Sequence, residues 1–535
     1  MKYKILISLL ACSLLSISLY SQQVTPMQAQ KIAWNLLANQ DRETKGDLSD
    51  EESSIQILPL GQKDTTMYVV STYRNWVLIA GDLRVRPILA YSDAQGGSFP
   101  SMDNIPPAMI EFLDWYDSQI AYIRDSSSER NIHQEWLESL TENRPITRSI
   151  VVSPLLYRNG LENLWGQSEN NDDGGGSDST KYYNKYCPPK HTSDENCGFT
   201  LAGCVAVATS QVMWYWQWPY SAIVKDDNGN NLLRLYDWSL MPTRLTDSSQ
   251  LEQADMVATL LHDVGVAVNM DYGCNGSGAN PENIVSTLRE RFHYVSDTLR
   301  HRKYYPNIVW LHQLKQNLDE GKPILYGGYR SGNHGHRFVL DGYNSANQFH
   351  VNYGWKEGFN GYFLLDAINN SGDPYINNQS AIMNIHPNYP SCAATVFTTN
   401  DVNANPFEIY GGGNMISYAT TISSNKTGVI YAGNAITLLP PFTIQNGANV
   451  HLAIKDMHCD LSDMDNQSGL LIDENDTLAG DVPERYNLPA HIELQQTEEE
   501  PLSKTDDSTP YNLLGQPVDE TYHGIVIQNG KKRVQ

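Results

Sequence analysis

"LAGCVAVATSQVMWYWQWP", Leu201 to Pro219, sets one cysteine at the head of a run of small and apolar residues that closes on four aromatics. The run "VAVATSQVMWYW" predicts a helix buried almost all round, and Gly203 supplies the tight entry that a strand-to-helix corner requires. A cysteine in that place has two readings. It is either a small core residue or a nucleophile, since the thiolate is the reactive form and a helix N-terminus beside an imidazole stabilises it at neutral pH. For a cysteine taken alone the core reading is the commoner one.

The imidazole comes from "GNHGHRFVLDGYNSANQFHVNYGWKEGFNGYFLL", Gly332 to Leu365. "HRFVLDGY" and "QFHVNYGW" alternate as strands around the turn cluster Asn344 to Asn347, so the whole predicts a β-hairpin. Counted from Asn344, His336 and Asn352 are equally distant and fall near the open end on opposite legs. An Asn side chain there would accept the proton of one ring nitrogen and leave the other to face a thiol. Singly, each of these residues, like His334 and His350, reads more simply as hairpin surface or strand end. Upstream, "PLLYRNGLENLWGQ" places Gln167 before the cysteine. Its amide, with the backbone N–H of Cys204, would form a donor pair for an oxyanion.

The order Gln, Cys, His, Asn is that of papain-like peptidases, and the local sequence carries it further. "GCVAVATSQVMWYWQWP" resembles the nucleophile segment of the streptopain family of bacterial cysteine peptidases, and "GHRFVLDGYNSANQFHVNYGW" resembles its histidine hairpin. "SPLL", "LWGQ" and "YYNKYCP" resemble the family's entry segment, and "MDYGCNGSGAN", Met270 to Asn280, its substrate-cleft loop. "VLIAGDLRVRPILAYSD" with "NIPPAMIEFLDWYDSQI" resembles its inhibitory propeptide. The resemblance implies a nucleophile at Cys204, the histidine at His336, the orienting asparagine at Asn352 and the oxyanion glutamine at Gln167. It also implies substrate contacts at Gly335, Ser277, Trp355 and Tyr353. The chain departs from the family twice: Tyr353 stands where the family has Trp, and "GWKEG" replaces "GWGG", bringing in Lys356 and Glu357. No metal or cofactor is required by this chemistry.

A chain of 535 residues exceeds one compact core, so several domains are expected. The reading is α+β: a signal peptide over 1–21, a small α+β inhibitory propeptide domain over 22–148, and a papain-like catalytic domain over 149–387. A small all-β module over 388–455, an acidic linker over 456–510 and a sorting-type tail over 511–535 follow. "MKYKILISLLACSLLSISLYSQQ" has the basic start and short apolar run of a secretory signal. "GIVIQNGKK" resembles the C-terminal sorting signal of Bacteroidetes proteins, which implies secretion machinery as a partner and a secreted or cell-surface location. With a net charge of -24, nucleic acid is a poor partner. Six cysteines outside the signal do not make a disulfide-built scaffold. Cys187 and Cys197 are close enough to close a short loop.

Together these readings predict a secreted cysteine endopeptidase zymogen with protein and peptide substrates, inhibited by its own propeptide and cut near Arg148 or Ser149 within "ENRPITRSIVVS". The alternatives are a surface-binding adhesin that retains the fold, and an amidase or acyl transferase on the same residues.

Overall fold

The computed structural model describes, apart from isolated positions, residues 22–44, 55–92, 105–125, 131–141, 146–169, 178–226, 228–329, 335–356, 359–365 and 378–459, with four short strands beyond. The expected signal peptide lies outside the described residues, as does most of the expected linker. Of the tail, Ile525–Gln528 pairs antiparallel with Tyr511–Asn512 and with Lys531–Val534.

Helix α1 (Pro26–Thr44) is followed by strands β1 (Gln56–Leu60), β2 (Met67–Ser71), β3 (Trp76–Ala80) and β4 (Ile88–Ser92), then by helices α2 (Pro107–Asp125) and α3 (Gln134–Thr141). After β5 (Ile150–Val152) comes α4 (Cys204–Trp216), the hairpin β6 (Ser221–Lys225) and β7 (Asn231–Leu235), and helices α5 (Leu251–Ala267), α6 (Glu282–Glu290) and α7 (Asn307–Asp319). Strands β8 (Ile324–Tyr329), β9 (Gly335–Asn344), β10 (Gln348–Asn352), β11 (Gly361–Leu364) and β12 (Ser380–Ile382) complete this part. Apart from β5 and the β6–β7 hairpin, helices come before strands here, so the class is α+β, as the sequence predicts.

One sheet runs through both halves, in the order β1-β2-β3-β4-β11-β10-β9-β8-β12. The join is antiparallel, with Gly361 opposite Ser92 and Tyr362 opposite Tyr91. A glycine is required at the join because a Cβ at Gly361 would sit 2.3 Å from the Tyr91 carbonyl oxygen. The strands are apolar on both faces because both are covered. Val77 and Ile79 pack with α1 and with Trp136 of α3. Trp76 and Leu78 pack with Phe112 and Tyr116 of α2. In β9, Phe338 and Leu340 join that second cluster, whereas Val339 turns to the cluster around α4.

The stretch after Pro387 is a parallel coil. Its strands are β13 (Thr395–Phe397), β14 (Phe407–Gly411), β15 (Asn414–Tyr418), β16 (Thr421–Ile422), β17 (Thr427–Ala432), β18 (Ala435–Leu439), β19 (Thr443–Ile444) and β20 (Asn449–Ile454). β14, β17 and β20 stack parallel in one sheet, β13, β15 and β18 in a second, and β16 and β19 in a third. Phe407 pairs with Gly428 and Thr427 with Asn449, so successive coils repeat every twenty-one to twenty-two residues. Alternation divides each strand between two cores: Phe407, Ile409 and Ile430 fill the coil, while Val429 and Tyr431 face α4's cluster.

Two disulfides are present, Cys197–Cys274 and Cys392–Cys459. Cys187 is therefore free and does not close a loop with Cys197. The partner of Cys197 is a residue of the distant cleft loop, which chain spacing alone does not reveal.

The coil is seated on the catalytic half. Tyr410 Oη accepts the Ser221 N–H at 2.9 Å and donates to the Ser221 carbonyl at 3.2 Å. Its ring lies 5.3 Å from that of Trp218. Tyr220 Oη donates to the Asp456 carbonyl at 2.9 Å, and Glu408 Oε2 lies 3.5 Å from His293 Nε2. Replacing Tyr410 by Ala removes a half-buried ring and its hydrogen bonds to Ser221, an expected loss of about 3 kcal/mol. In a Cys204→Ala background the denaturant midpoint of tryptophan fluorescence should fall accordingly; an unmoved midpoint would mean that the coil folds as a separate appendage.

Candidate active site

Helix α4 begins at Cys204, and eleven of its residues, Cys204 to Trp214, are buried. Gly203, its N-cap, has φ 86°. A Cβ there would lie 2.8 Å from the Met270 side chain and 3.2 Å from Ser277 Cβ, so the corner before the helix admits glycine alone without displacement. The sulfur sits at the helix N-terminus, where unpaired backbone N–H groups favour negative charge. Three main-chain N–H groups approach it, those of Cys204 itself, Val205 and Arg337. The last is a hydrogen bond of 3.4 Å from strand β9.

That bond places the residue after His336 against the sulfur. His336 is half-buried and opposes Gly328 of β8, one step from the exposed Gly335 that opens β9. Burial pushes the Cys204 thiol up from its ordinary value, opposed first by the Arg337 N–H and then by the Arg337 charge. Cys187 has no such donors, and burial alone pushes it up to about 12. Of the two free thiols among the described residues, Cys204 is the one surrounded by groups that favour its anion.

Gln167 is buried, and its carbonyl accepts the Ala202 N–H at 2.9 Å, which sets it beside the residues leading into the helix. Lys356 lies across this entry. It adopts φ 66°, a Cβ on Gly166 would approach its Cγ to 2.8 Å, and its Nζ is 3.5 Å from Glu169 Oε2. The inserted lysine thus covers the residue next to Gln167.

Asn352 departs from expectation. The hairpin turns about Ser345 and Ala346 and carries a bulge between Leu340 and Gly342, so Asn352 pairs with Val339, three residues inward of His336. Counting from Asn344 misses both effects. The Oδ1 of Asn352 accepts from Gln211 Nε2 at 2.9 Å and from the Gly354 N–H at 3.1 Å. Its Nδ2 donates to Glu162 Oε1 at 3.1 Å and to the Asn163 carbonyl at 2.7 Å. Those bonds fill the amide's capacity, leaving no lone pair to receive an imidazole proton. In this state Asn352 clamps the entry segment to α4 and the hairpin.

Ser277 also spends its hydroxyl locally. Its Oγ donates to the Leu201 carbonyl at 2.6 Å and accepts the Gly273 N–H at 3.0 Å, fastening the cleft loop to the segment before Cys204. Tyr353 is buried between Phe338 and Phe112 of α2, and Trp355 packs against the same cluster. Tyr353 therefore meets α2 of the N-terminal half of the chain.

Sequence reasoning missed a buried polar network and Arg337. His350 Nδ1 lies 2.6 Å from Asp341 Oδ1, and both residues are fully buried. Asp341 Oδ2 accepts the Leu156 N–H at 2.9 Å, and Glu162 Oε1 accepts from Asn360 at 2.8 Å. The signal for Arg337 was available as a large cation inside "HRFVLDGY", a run otherwise fit for a buried strand.

The sequence pattern of the Peptidase C10 family matches residues 178–363, and that of the Spi protease inhibitor matches residues 21–120. The thiol protease/hemagglutinin PrtT of Porphyromonas gingivalis is 27% identical over 362 residues, which is 63% of this chain and 37% of that protein. The chain thus spans little more than a third of PrtT. Streptopain of Streptococcus pyogenes is 28% identical over 371 residues, 64% of this chain and 86% of streptopain. Among solved structures, a prointerpain A fragment of Prevotella intermedia is 26% identical, covering 62% of this chain and 98% of the fragment at a TM-score of 0.45. Active interpain A of the same organism is 30% identical, covering 43% and 93% at a TM-score of 0.33.

The amide of Asn352 gives the site a test. Asn352→Ala removes one buried hydrogen bond each from Glu162, Gln211, the Asn163 carbonyl and the Gly354 N–H and should cost about 2 to 4 kcal/mol. Chemical denaturation in the Cys204→Ala background measures it. A loss below about 1 kcal/mol, the scale of one ordinary hydrogen bond, would show that the clamp holds nothing.

Proposed function

Because this chain belongs to the Peptidase C10 family and carries a Spi-type inhibitor domain in front of its peptidase domain, we propose that it is a secreted cysteine endopeptidase zymogen whose nucleophile is Cys204. The observation that carries this reading is the hydrogen bond from Arg337 to Cys204 Sγ, which sets a helix-capping thiol beside the histidine-bearing strand.

In the proposed reaction the Cys204 thiolate attacks the scissile carbonyl carbon, forming a C–S bond. The His336 imidazolium gives its proton to the leaving nitrogen as the C–N bond breaks. The thioester is then hydrolysed by water that His336 deprotonates, and the sulfur leaves again as thiolate. Gln167 and the Cys204 N–H are the proposed oxyanion donors; one such donor is worth about 3 kcal/mol in the transition state. Asn352 would serve by holding the entry segment, and with it Gln167, in register; a direct bond to the imidazole would need one of its present partners to be released. Gly335 and Ser277 are proposed to border the substrate, with Lys356 narrowing access over Gly166. No metal or cofactor takes part in these steps.

The inhibitor domain is proposed to cover the site through the shared sheet and through Phe112 against Phe338 and Tyr353. Release would follow a cut between about Ile146 and Ser149. The substrates are proposed to be proteins and peptides, and the terminal strands to address the chain for export.

Purified wild-type protein incubated at neutral pH should shorten and yield a new N-terminus near Arg148 or Ser149. The Cys204→Ala and His336→Ala chains should stay full length, with at least a thousandfold loss of activity. N-terminal sequencing by mass spectrometry reads the outcome, and digestion of a denatured protein separates hydrolysis from acyl transfer. Equal processing of wild type and Cys204→Ala would remove Cys204 from the reaction.

A further inference from the structure

Arg337 follows His336 directly, and it is 4% exposed. Its Nη1 donates to the carbonyls of Leu325 at 3.4 Å and Ser380 at 3.2 Å, and its Nη2 to Ser380 Oγ at 3.2 Å. Its Nε is buried without a hydrogen-bond partner. The guanidinium lies close over β8, where a Cβ on Gly327 would stand 3.2 Å from Cζ. All three acceptors are neutral. A guanidinium keeps its charge at every physiological pH, and taking such a charge out of water costs several kcal/mol unless an opposite charge answers it.

The groups that face Arg337 narrow the choice of that answer. From β8 comes Tyr326, which donates to Gln379 Oε1 at 2.6 Å. Beyond Tyr326, on the same Gln379 Oε1, lies Arg302, a second buried cation that also donates to the Leu365 carbonyl at 2.7 Å. From β9 comes His336, and from α4 comes Cys204. Among these, Tyr326 and Cys204 alone can become anions, and burial pushes Tyr326 up, away from ionisation. Cys204 is the acid left.

We infer that Arg337 is the fixed counter-charge of the Cys204 thiolate, a positioning residue that acts through its guanidinium field and through its main-chain N–H on the sulfur. The inference rests on the reading of Cys204 as nucleophile. A nearby cation favours the charged form of an acid and lowers its pKa. Burial draws Arg337 down to about 10, with Cys204 as the first opposing influence, so it is a cation at neutral pH.

The test is the pH dependence of iodoacetamide labelling of Cys204 in the full chain, read peptide by peptide, with Cys187 as the unreactive internal reference. Arg337→Met should raise the midpoint by about one unit, slowing labelling about tenfold on the acid side. Arg337→Lys should keep it near wild type. A Met variant that titrates with wild type, or a Lys variant shifted as far as Met, would overturn the role. Should the Met variant fail to fold, the His336→Ala chain with Arg337 intact answers instead. There the ratio of iodoacetate to iodoacetamide rates at Cys204 should exceed that of the same cysteine in denatured chain several-fold, and equal ratios would overturn the role. A wild-type Cys204 that no reagent labels at any pH overturns the nucleophile reading as well, whereas a reactive Cys204 with unshifted variants overturns Arg337 alone.

Discussion

The hydrogen bond between the Arg337 N–H and Cys204 Sγ joins a helix end to a strand 133 residues away, and the chemistry of the site depends on that joint. Neither side of it is a loop. Helix α4 is buried over its first eleven residues, and β9 is held between β8 and β10. Close-packed cores are poorly compressible and transmit strain, so the approach of strand to sulfur is set by the core. The glycine at φ 86° before the helix is the local cost of bringing the chain into the corner.

The same stiffness governs the inhibitor half. Its strands extend the catalytic sheet through β4 and β11, and α2 lays Phe112 against Phe338 and Tyr353, beside the residues of the site. Tyr116 Oη adds a 2.8 Å bond to the Leu364 carbonyl. At the connecting segment, Arg148 pairs with Glu135 of α3 at 2.8 Å and with Gln348 of β10 at 3.2 Å. A cut beside Arg148 severs none of the ladder bonds between β4 and β11. Cleavage and departure of the inhibitor are therefore separate events, the second requiring the loss of sheet pairing and of buried aromatic area.

What the sequence made legible is what local patterns encode. The all-round apolar run after Cys204 gave a buried helix, and alternation around Asn344 to Asn347 gave the β9–β10 hairpin. The position of Asn352 was lost because a bulge and a turn centred two residues later shift the register, and neither leaves a mark in a two-residue period. The pairing of Cys197 with Cys274 and of β4 with β11 was lost because both are made between distant segments. The parallel coil was different: "IYGGGNMIS" and "IYAGNAITL" repeat at twenty-one residues, so its signal lay in self-similarity rather than in strand alternation. Arg337 is buried with its guanidinium lying across β8 to Ser380 of β12, a placement made by sheet neighbours distant in the chain.

The entry segment shows why buried polar groups are kept in a site that apolar packing could fill. Leu155 and Leu156 are fixed to Asp341 through its carbonyl and its Oδ2; Glu162 and Asn163 are fixed to Asn352, and Glu162 to Asn360. The Gln167 carbonyl then accepts the Ala202 N–H, just ahead of α4. Apolar contacts tolerate sliding by a fraction of a residue, whereas a carboxylate that serves two N–H donors in the interior does not, since each unmade bond there costs about 1 to 3 kcal/mol. Such a network fixes the register of residues 155–167 against β9 and β10, and the place of Gln167 relative to Cys204 follows from it. The precision that the proposed oxyanion role of Gln167 demands would thus be supplied by buried groups behind it.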